Sequence, residues 1–204
     1  MCSSRSHWEN IYTTKSETTV SWFQLHPERS LESIEAVSPV RKASVIDVGG
    51  GASTLVDDLL VRGFGDLTVL DIAATALERS KRRLSHEAAK VDWITADVTR
   101  WTPARTWNVW HDRAVFHFLT DRPSQDRYIA ALLAATRPGA TAVIATFSLD
   151  GPETCSGLPV RRYSPEALAA RLGSALSLVA QAPETHRTPW GSEQCFCYTV
   201  LQRR

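Results

Sequence analysis

Two carboxylates and a run of glycines carry the clearest chemistry in this chain: Asp47, then Gly49, Gly50 and Gly51, then Asp71. Val45-Ile46-Asp47-Val48 is an apolar, β-branched stretch and reads as a buried parallel strand. The glycines that follow make a tight turn and remove side chains where a ligand must lie against the backbone. A second apolar stretch, Leu67-Thr68-Val69-Leu70-Asp71, again ends in an acid. A carboxylate at that strand tip can accept hydrogen bonds from both hydroxyls of a ribose. The glycines are consecutive, which departs from the spacing of a dinucleotide fingerprint. No Lys-Ser/Thr pair follows, so the turn is not a phosphate-cradling P-loop. Asp47 would repel a pyrophosphate. Acid, glycines and second acid together suit a ligand with hydroxyls and an amino-acid ammonium.

The elements that must position these residues alternate along the chain. Strands are predicted at 43–48, 66–71, 91–95, 107–111 and 140–147, and helices at 53–62, 74–84 and 123–136. Such alternation argues for a parallel sheet covered on both faces. Ser53 and Thr54 stand where the first of these helices begins. Gly63 and Gly65 end that helix before the next strand. Ahead of the first strand lies a cap over 7–37, with a short helix from His7 to Tyr12, an aromatic turn Ser21-Trp22-Phe23-Gln24, and a helix started by Pro27. After residue 148 come a long turn-rich loop to Pro159, a helix opened by Ser164-Pro165-Glu166, and two final strands at 176–182 and 194–201. The expected fold is α/β: a doubly wound, seven-stranded, mostly parallel sheet with an antiparallel last strand.

With these motifs in order, the chain resembles the class I methyltransferases that depend on S-adenosylmethionine (SAM), a cofactor with both ribose hydroxyls and an amino-acid ammonium. Asp47 to Ser53 is similar to their first motif, and Asp71 to their ribose-binding acid. Ala96-Asp97-Val98 is similar to the third-strand motif, whose acid lies near the adenine amino group. Trp110-His111-Asp112-Arg113 through Leu119 is similar to the fourth-strand motif, and Pro138-Gly139-Ala140 opens the fifth strand. The likeness covers 40–148. Ser53, where many members have glycine, alters how the helix is capped. Asp112-Arg113 followed by Arg127-Tyr128 resembles in part the thiopurine-methyltransferase-like branch, and is also compatible with lysine-methylating relatives.

The resemblance implies SAM as cofactor. It implies Asp47, Gly49, Gly50, Gly51, Asp71, Ile72, Asp97, Val98 and Asp112 as its binding residues, with Tyr12 and Trp22 from the cap. Methyl transfer needs the acceptor held close and water excluded, and sometimes a proton removed. Asp112 at the expected cofactor edge and His117 as a general base are candidates, with His186 and Tyr163 as further catalytic positions. His117 lies among Val115, Phe116 and Phe118, which also suits a packed histidine. Arg113 suits either an anion or a pairing with Asp112. For the acceptor pocket, Phe23, Arg161, Tyr163, His186, Trp190 and Gln194 are the candidates, because long loops in compact domains often carry function. Trp22 and Phe23 are expected to close the site, and Trp8 to be buried. The acceptor is expected to be a small molecule. Alternatives are a protein lysine, a thiol, chalcogen or metalloid, or a catalytically silent SAM-binding subunit.

The bulk numbers narrow the partners. A chain of 204 residues suits one domain, divided as a cap over 1–40, a cofactor core over 41–148 and an acceptor loop with hairpin over 149–204. A net charge of +1 gives no basic field for nucleic acid. No apolar run has membrane-spanning length, and the N-terminus lacks the apolar centre of a secretory signal. Cys2, Cys155, Cys195 and Cys197 form no disulfide framework, so free thiols and a cytoplasmic setting are expected. Cys195 and Cys197 share a strand face. With Cys155 they would make three thiolates, a set without zinc spacing and better read as buried bystanders. No metal site is expected, and the sequence leaves the oligomeric state open.

Overall fold

The structure, a computed structural model, describes residues 4–38 and 41–204. Cys2 lies outside the described residues. Helices α1 (Ser4–Thr14) and α2 (Glu28–Val37) precede the alternating core. The core runs β1 (Val45–Val48), α3 (Leu55–Val61), β2 (Leu67–Asp71), α4 (Ala74–Leu84), β3 (Val91–Thr95), β4 (Trp107–Arg113), α5 (Arg122–Ala135) and β5 (Thr136–Phe147). Two short strands, β6 (Thr154–Cys155) and β7 (Leu158–Pro159), form a small hairpin in the loop after β5. Helix α6 (Pro165–Leu172) and the long hairpin of β8 (Leu176–Arg187) and β9 (Glu193–Arg203) complete the chain.

The main sheet has seven strands in the order β3-β2-β1-β4-β5-β9-β8. The first five are mutually parallel, and β9 runs antiparallel to both of its neighbours. Alternation along each strand divides its side chains between two cores. Val45, Val109, Val143 and Phe196 face α2 and α3, packing with Leu31, Ile34, Leu55 and Leu59. Ile46, Trp110, Ile144 and Leu201 face α5 and α6, packing with Leu132 and Leu168. Both faces of the sheet are therefore dry, which is why β1 and β2 are apolar apart from Asp47, Asp71 and Thr68, whose buried hydroxyl accepts from the Trp107 indole at 3.0 Å.

Strands β8 and β9 are longer than their sequence suggests. Pro183 reads as a break, yet it lies within β8 opposite Cys197. Because β8 is the edge of the sheet, a residue without an N–H can stand there at no cost to the ladder. The extension matters functionally: it carries Glu184 and His186 opposite Phe196 and Gln194, over the C-terminal ends of the core strands.

The cap is fastened to the core by polar contacts as well as packing. Glu9 of α1 accepts hydrogen bonds from the backbone N–H groups of Ala74, at 2.7 Å, and Thr75, at 3.2 Å, and from the Thr75 hydroxyl. A carboxylate from one helix thus caps the N-terminus of another, where orphan N–H groups and the helix dipole both favour negative charge. Glu9→Ala should lower unfolding free energy by about 1 kcal/mol, the usual cost of losing a cap. Urea denaturation checks this, and a variant as stable as the parent would show the cap to be idle.

Candidate functional site

The glycine turn is packed so closely by neighbouring side chains that it has no room for side chains of its own. Gly49 and Gly51 have φ of +74° and +45°, a region that disfavours residues with a Cβ. A Cβ on Gly49 would overlap Val115, and one on Gly51 would come within 2.8 Å of Asp71 Oδ2 and 3.1 Å of the Tyr12 hydroxyl. The Gly49 N–H is anchored to the Leu70 carbonyl at 2.7 Å, which ties the turn to β2. Arg83 of α4 holds the far side, donating to the carbonyls of Ala52, at 3.1 Å, and Ser53, at 2.6 Å, while paired with Asp57. Ser53 accepts from the Leu55 N–H at 3.1 Å, so it fixes the start of α3.

Asp71 stands at the tip of β2 beside this turn. Its Oδ1 accepts from the Ala73 N–H at 2.8 Å. Burial pushes its pKa up to about 7, and the charges of Asp47 and Glu9 add to the rise. A buried carboxyl with spare acceptor capacity suits a ligand that brings its own hydroxyl donors. Beyond it lie Leu70, Ile72 and Val98, which make an apolar slot, and Asp97. Asp97 Oδ1 is held by the Thr99 N–H and hydroxyl at 2.9 and 2.7 Å.

From that slot a cavity of about 1050 Å³, including its open mouth, runs along the strand ends to Cys155, Leu158, Gln194 and Phe196. It crosses from β2 to β9, four strand intervals at about 4.8 Å each, or roughly 19 Å. Trp8, Tyr12 and Trp22 border it from the cap, with Arg113, Val115 and Phe118 beneath. Trp8 meets Trp22 and Phe118 edge-on, with ring centroids 5.7 and 5.0 Å apart. Trp8 therefore contributes to the cavity wall as Trp22 does, rather than being only a buried anchor.

Several expected site residues lie elsewhere. Asp112 is fully buried on the opposite face of β4, towards α5, because strand neighbours point to opposite sides. Its carboxylate accepts from the Val115 and Phe116 N–H groups and, at 2.5 Å, from the Tyr128 hydroxyl. Burial raises its pKa to about 6. Asp112 thus builds the turn after β4, where Ala114 adopts a φ of +73° and Val115 is set over Gly49. Its neighbour Arg113 takes the cavity side and pairs with Glu184 at 3.2 Å, not with Asp112.

His117 is enclosed by Phe118, Phe147 and Phe196, off the cavity wall. Burial holds its pKa down to about 3, with the charge on Arg113 adding to the fall, so it is a poor base at neutral pH. Tyr163 lies on the α5 side, its hydroxyl accepting from Gln125 at 2.9 Å, and Arg161 is exposed over its ring. His186 is buried and donates from Nε2 to the Ser21 carbonyl at 2.6 Å, pinning the aromatic turn to β8. Trp190 is 61% exposed at the tip of the β8–β9 hairpin. Phe23 borders a neighbouring hollow rather than the main cavity. Of the six residues expected around the acceptor, Gln194 reaches that cavity; Arg113, Cys155, Phe118 and Phe196 complete the wall. Cys195 and Cys197 flank Phe196 and so face away from Cys155. Among the described residues no cluster of three or more His, Cys, Asp or Glu could hold a metal.

The neighbouring hollow, about 580 Å³ with its open space, lies behind the glycine turn and is floored by Asp47, His111 and Ser30. A buried hydrogen-bond chain crosses it. His111 Nδ1 lies 2.7 Å from Asp47, its Nε2 is 3.0 Å from the Ser30 hydroxyl, and Ser30 is 2.9 Å from the Tyr198 hydroxyl. Arg113 Nε then donates to Tyr198 at 3.1 Å, and Arg113 also donates to Glu184. Run from Arg113 to Asp47, each hydroxyl accepts once and donates once.

The residues fit the cofactor that the motifs imply. A Cβ on Gly51 would fill the space between the turn, Asp71 and the Tyr12 hydroxyl, and Asp71 keeps acceptor capacity there. The sequence profile of a methyltransferase domain matches residues 45–139, the stretch that builds this cradle. The fold also matches solved structures. The N-methyltransferase NodS from Bradyrhizobium japonicum, in complex with S-adenosyl-l-homocysteine (SAH), superposes with a TM-score of 0.73 at 14% identity, over 98% of each chain. A SAM-dependent methyltransferase from Anabaena variabilis gives 0.75 at 14% identity, over 98% of this chain and 95% of that one. A protein from work on conversion of a disulfide bond into a thioacetal group during echinomycin biosynthesis gives 0.76 at 16% identity, over 96% and 90%. With the profile on the glycine-turn core and the same sheet around it, residues 45–139 are similar to a methyltransferase domain and the chain has the fold of SAM-dependent methyltransferases.

Proposed function

We propose that the enzyme moves the methyl group of SAM to a nucleophilic atom of a small molecule, with the adenosine end on β2 and β3 and the acceptor on the β4–β9 side. The observation that carries this reading is the cavity itself. Its far half is walled by aromatic rings and roofed by the cap, which suits a molecule that enters a pocket rather than a side chain offered by a folded protein surface.

When bound, SAM supplies an electrophilic methyl on a sulfonium sulfur, which leaves as a thioether. Asp71 would accept the ribose hydroxyls, and Leu70, Ile72 and Val98 would enclose the adenine, with Asp97 at its edge. Gly49, Gly50 and Gly51 would let the methionine part pass against the backbone, near Asp47 and under Tyr12 and Trp22. The indole faces favour a cationic sulfonium and exclude water.

In the acceptor half, the titratable side chains on the described wall are Tyr12, Arg113 and Cys155. Burial raises the pKa of both Tyr12 and Cys155, so each keeps its proton at neutral pH. Arginine is always protonated. None of the three is a base, and neither Asp112 nor His117 reaches the wall. The acceptor must therefore arrive with a lone pair already free, as an unprotonated nitrogen or a thiolate does. Catalysis then rests on positioning and desolvation, for which effective molarities are large. Asp112 and Tyr163 act in this reading as positioning residues of the β4 turn and the α5 face, and His186 as a clasp on the cap.

Two measurements test the reading. Incubation with methyl-labelled SAM, against a metabolite extract and a protein lysate in parallel, should place label in the small-molecule fraction. Label confined to protein bands would contradict it. The second concerns pH. The carboxylate form of Asp71 is the one that accepts from two hydroxyls, so SAH affinity should rise as pH increases towards about 7 and level off above it. The ligand-free protein should show the opposite trend. Its folded state keeps this proton to higher pH than the unfolded chain, whose carboxyls release it near pH 4, so stability declines from about pH 4 to about pH 7. Calorimetric titration of SAH across that range should give a slope that Asp71→Asn abolishes. A flat profile in the parent would show that the ribose lies elsewhere.

A further inference from the structure

Gln194 lies at the end of the cavity furthest from Asp71. It is only 8% exposed, yet its buried Oε1 has no hydrogen-bond partner. A buried amide oxygen left unpaired is costly, and native structures rarely keep one without a reason. The polar groups around it are already engaged. Glu184 is held by Arg113 and by Gln24, at 3.2 and 2.9 Å. His186, opposite Gln194 on β8, spends its Nε2 on Ser21. The Cys155 thiol is hydrogen-bonded with Ser21. Nothing in the described protein satisfies the Gln194 oxygen, and the Gln194 side chain lines the cavity beside Phe196, so no hydrogen bond is lost when its amide turns inward.

The surroundings define what would satisfy it. Phe196 has the Arg113 guanidinium over its ring at 4.3 Å, and that guanidinium is neutralised by Glu184. Trp22 and Phe118 are further ring faces and edges on the same cavity. The pocket thus offers flat apolar contact, a paired charge and, once the Gln194 amide turns into it, one hydrogen-bond acceptor. An ionised molecule would lose its hydration there without gaining a counter-charge from the protein, whose Arg113 and Glu184 are spent on each other.

We propose that Gln194 is the residue that selects the methyl acceptor, taking a hydrogen bond on Oε1 from an N–H or O–H of a flat, uncharged, aromatic molecule. This rests on the small-molecule reading above and narrows it to a substrate class. A site built to receive such a donor rejects a molecule of the same shape that lacks it, because the amide is then left unpaired.

The test compares indole, which has an N–H, with benzothiophene, which has the same outline and none. Each is titrated into the full-length protein saturated with SAH and followed by ligand-observed NMR. The ratio of indole to benzothiophene affinity should be about tenfold higher in the parent than in Gln194→Met, which keeps the length and removes the amide. Gln194→Glu, which keeps an oxygen acceptor, should retain most of the preference. A ratio unchanged by Gln194→Met, or binding of neither probe to the parent, would overturn the proposal. Should Gln194→Met not fold, the parent alone decides: an indole affinity no greater than that of benzothiophene overturns the proposal, and a greater one upholds it. Saturation with SAH is measured first. Failure at that step contradicts the methyl-transfer reading, whereas SAH binding with no probe preference contradicts only the role of Gln194.

Discussion

The structure depends on the buried chain from Asp47 through His111, Ser30 and Tyr198 to Arg113 and Glu184. It joins the start of the glycine turn on β1 to the middle of the sheet on β4, to α2 of the cap, and to the late hairpin of β9 and β8. Asp47, His111, Ser30 and Tyr198 lie at or near zero exposure and Arg113 and Glu184 are half-buried, so an unpaired member would cost more than an ordinary surface contact gains. Such a network is satisfied in one arrangement and penalised in others. It therefore fixes the register between the glycine turn and the far wall of the cavity, which are built from distant parts of the chain.

That constraint explains the division of labour along β4. His111 and Arg113 face the cap and take part in the chain, while Trp110 and Asp112 face α5. Asp112 and Tyr128 hold the turn that follows. The motif Asp112-Arg113 thus places one charged residue on each side of the sheet, one to shape the loop and one to carry charge to the cavity. The cap is clasped at two points, by Glu9 on α4 and by His186 on Ser21, so the indoles of Trp8 and Trp22 are presented by an anchored segment.

Much of the geometry at the glycine-turn end of the candidate site was legible in the sequence. Glycines after an apolar strand and an acid closing the next strand each follow from local geometry, and α4 lies where its periodicity put it. The acceptor side was not. Arg161, Tyr163 and His186 are polar residues in a loop and a hairpin, but their sequence does not reveal which face they occupy. The parity of β9 held the signal: Gln194, Phe196 and Tyr198 alternate with two cysteines, so one inward aromatic fixes the other two. Pro183 hid the length of β8, because a proline reads as a break unless the strand is known to be an edge. Arg113, Cys155 and Phe118 join the wall only through contacts between segments far apart in the chain.

In the reading proposed above, the cofactor lies along the glycine turn with its reactive end turned towards β9. A crystal structure of the protein with SAH tests it most directly. Both ribose hydroxyls should lie on Asp71, the adenine between Ile72 and Val98, and the sulfur open to the space bounded by Phe118, Phe196 and Gln194. A sulfur facing the hollow over His111 and Ser30 instead, or a ribose away from Asp71, would contradict it.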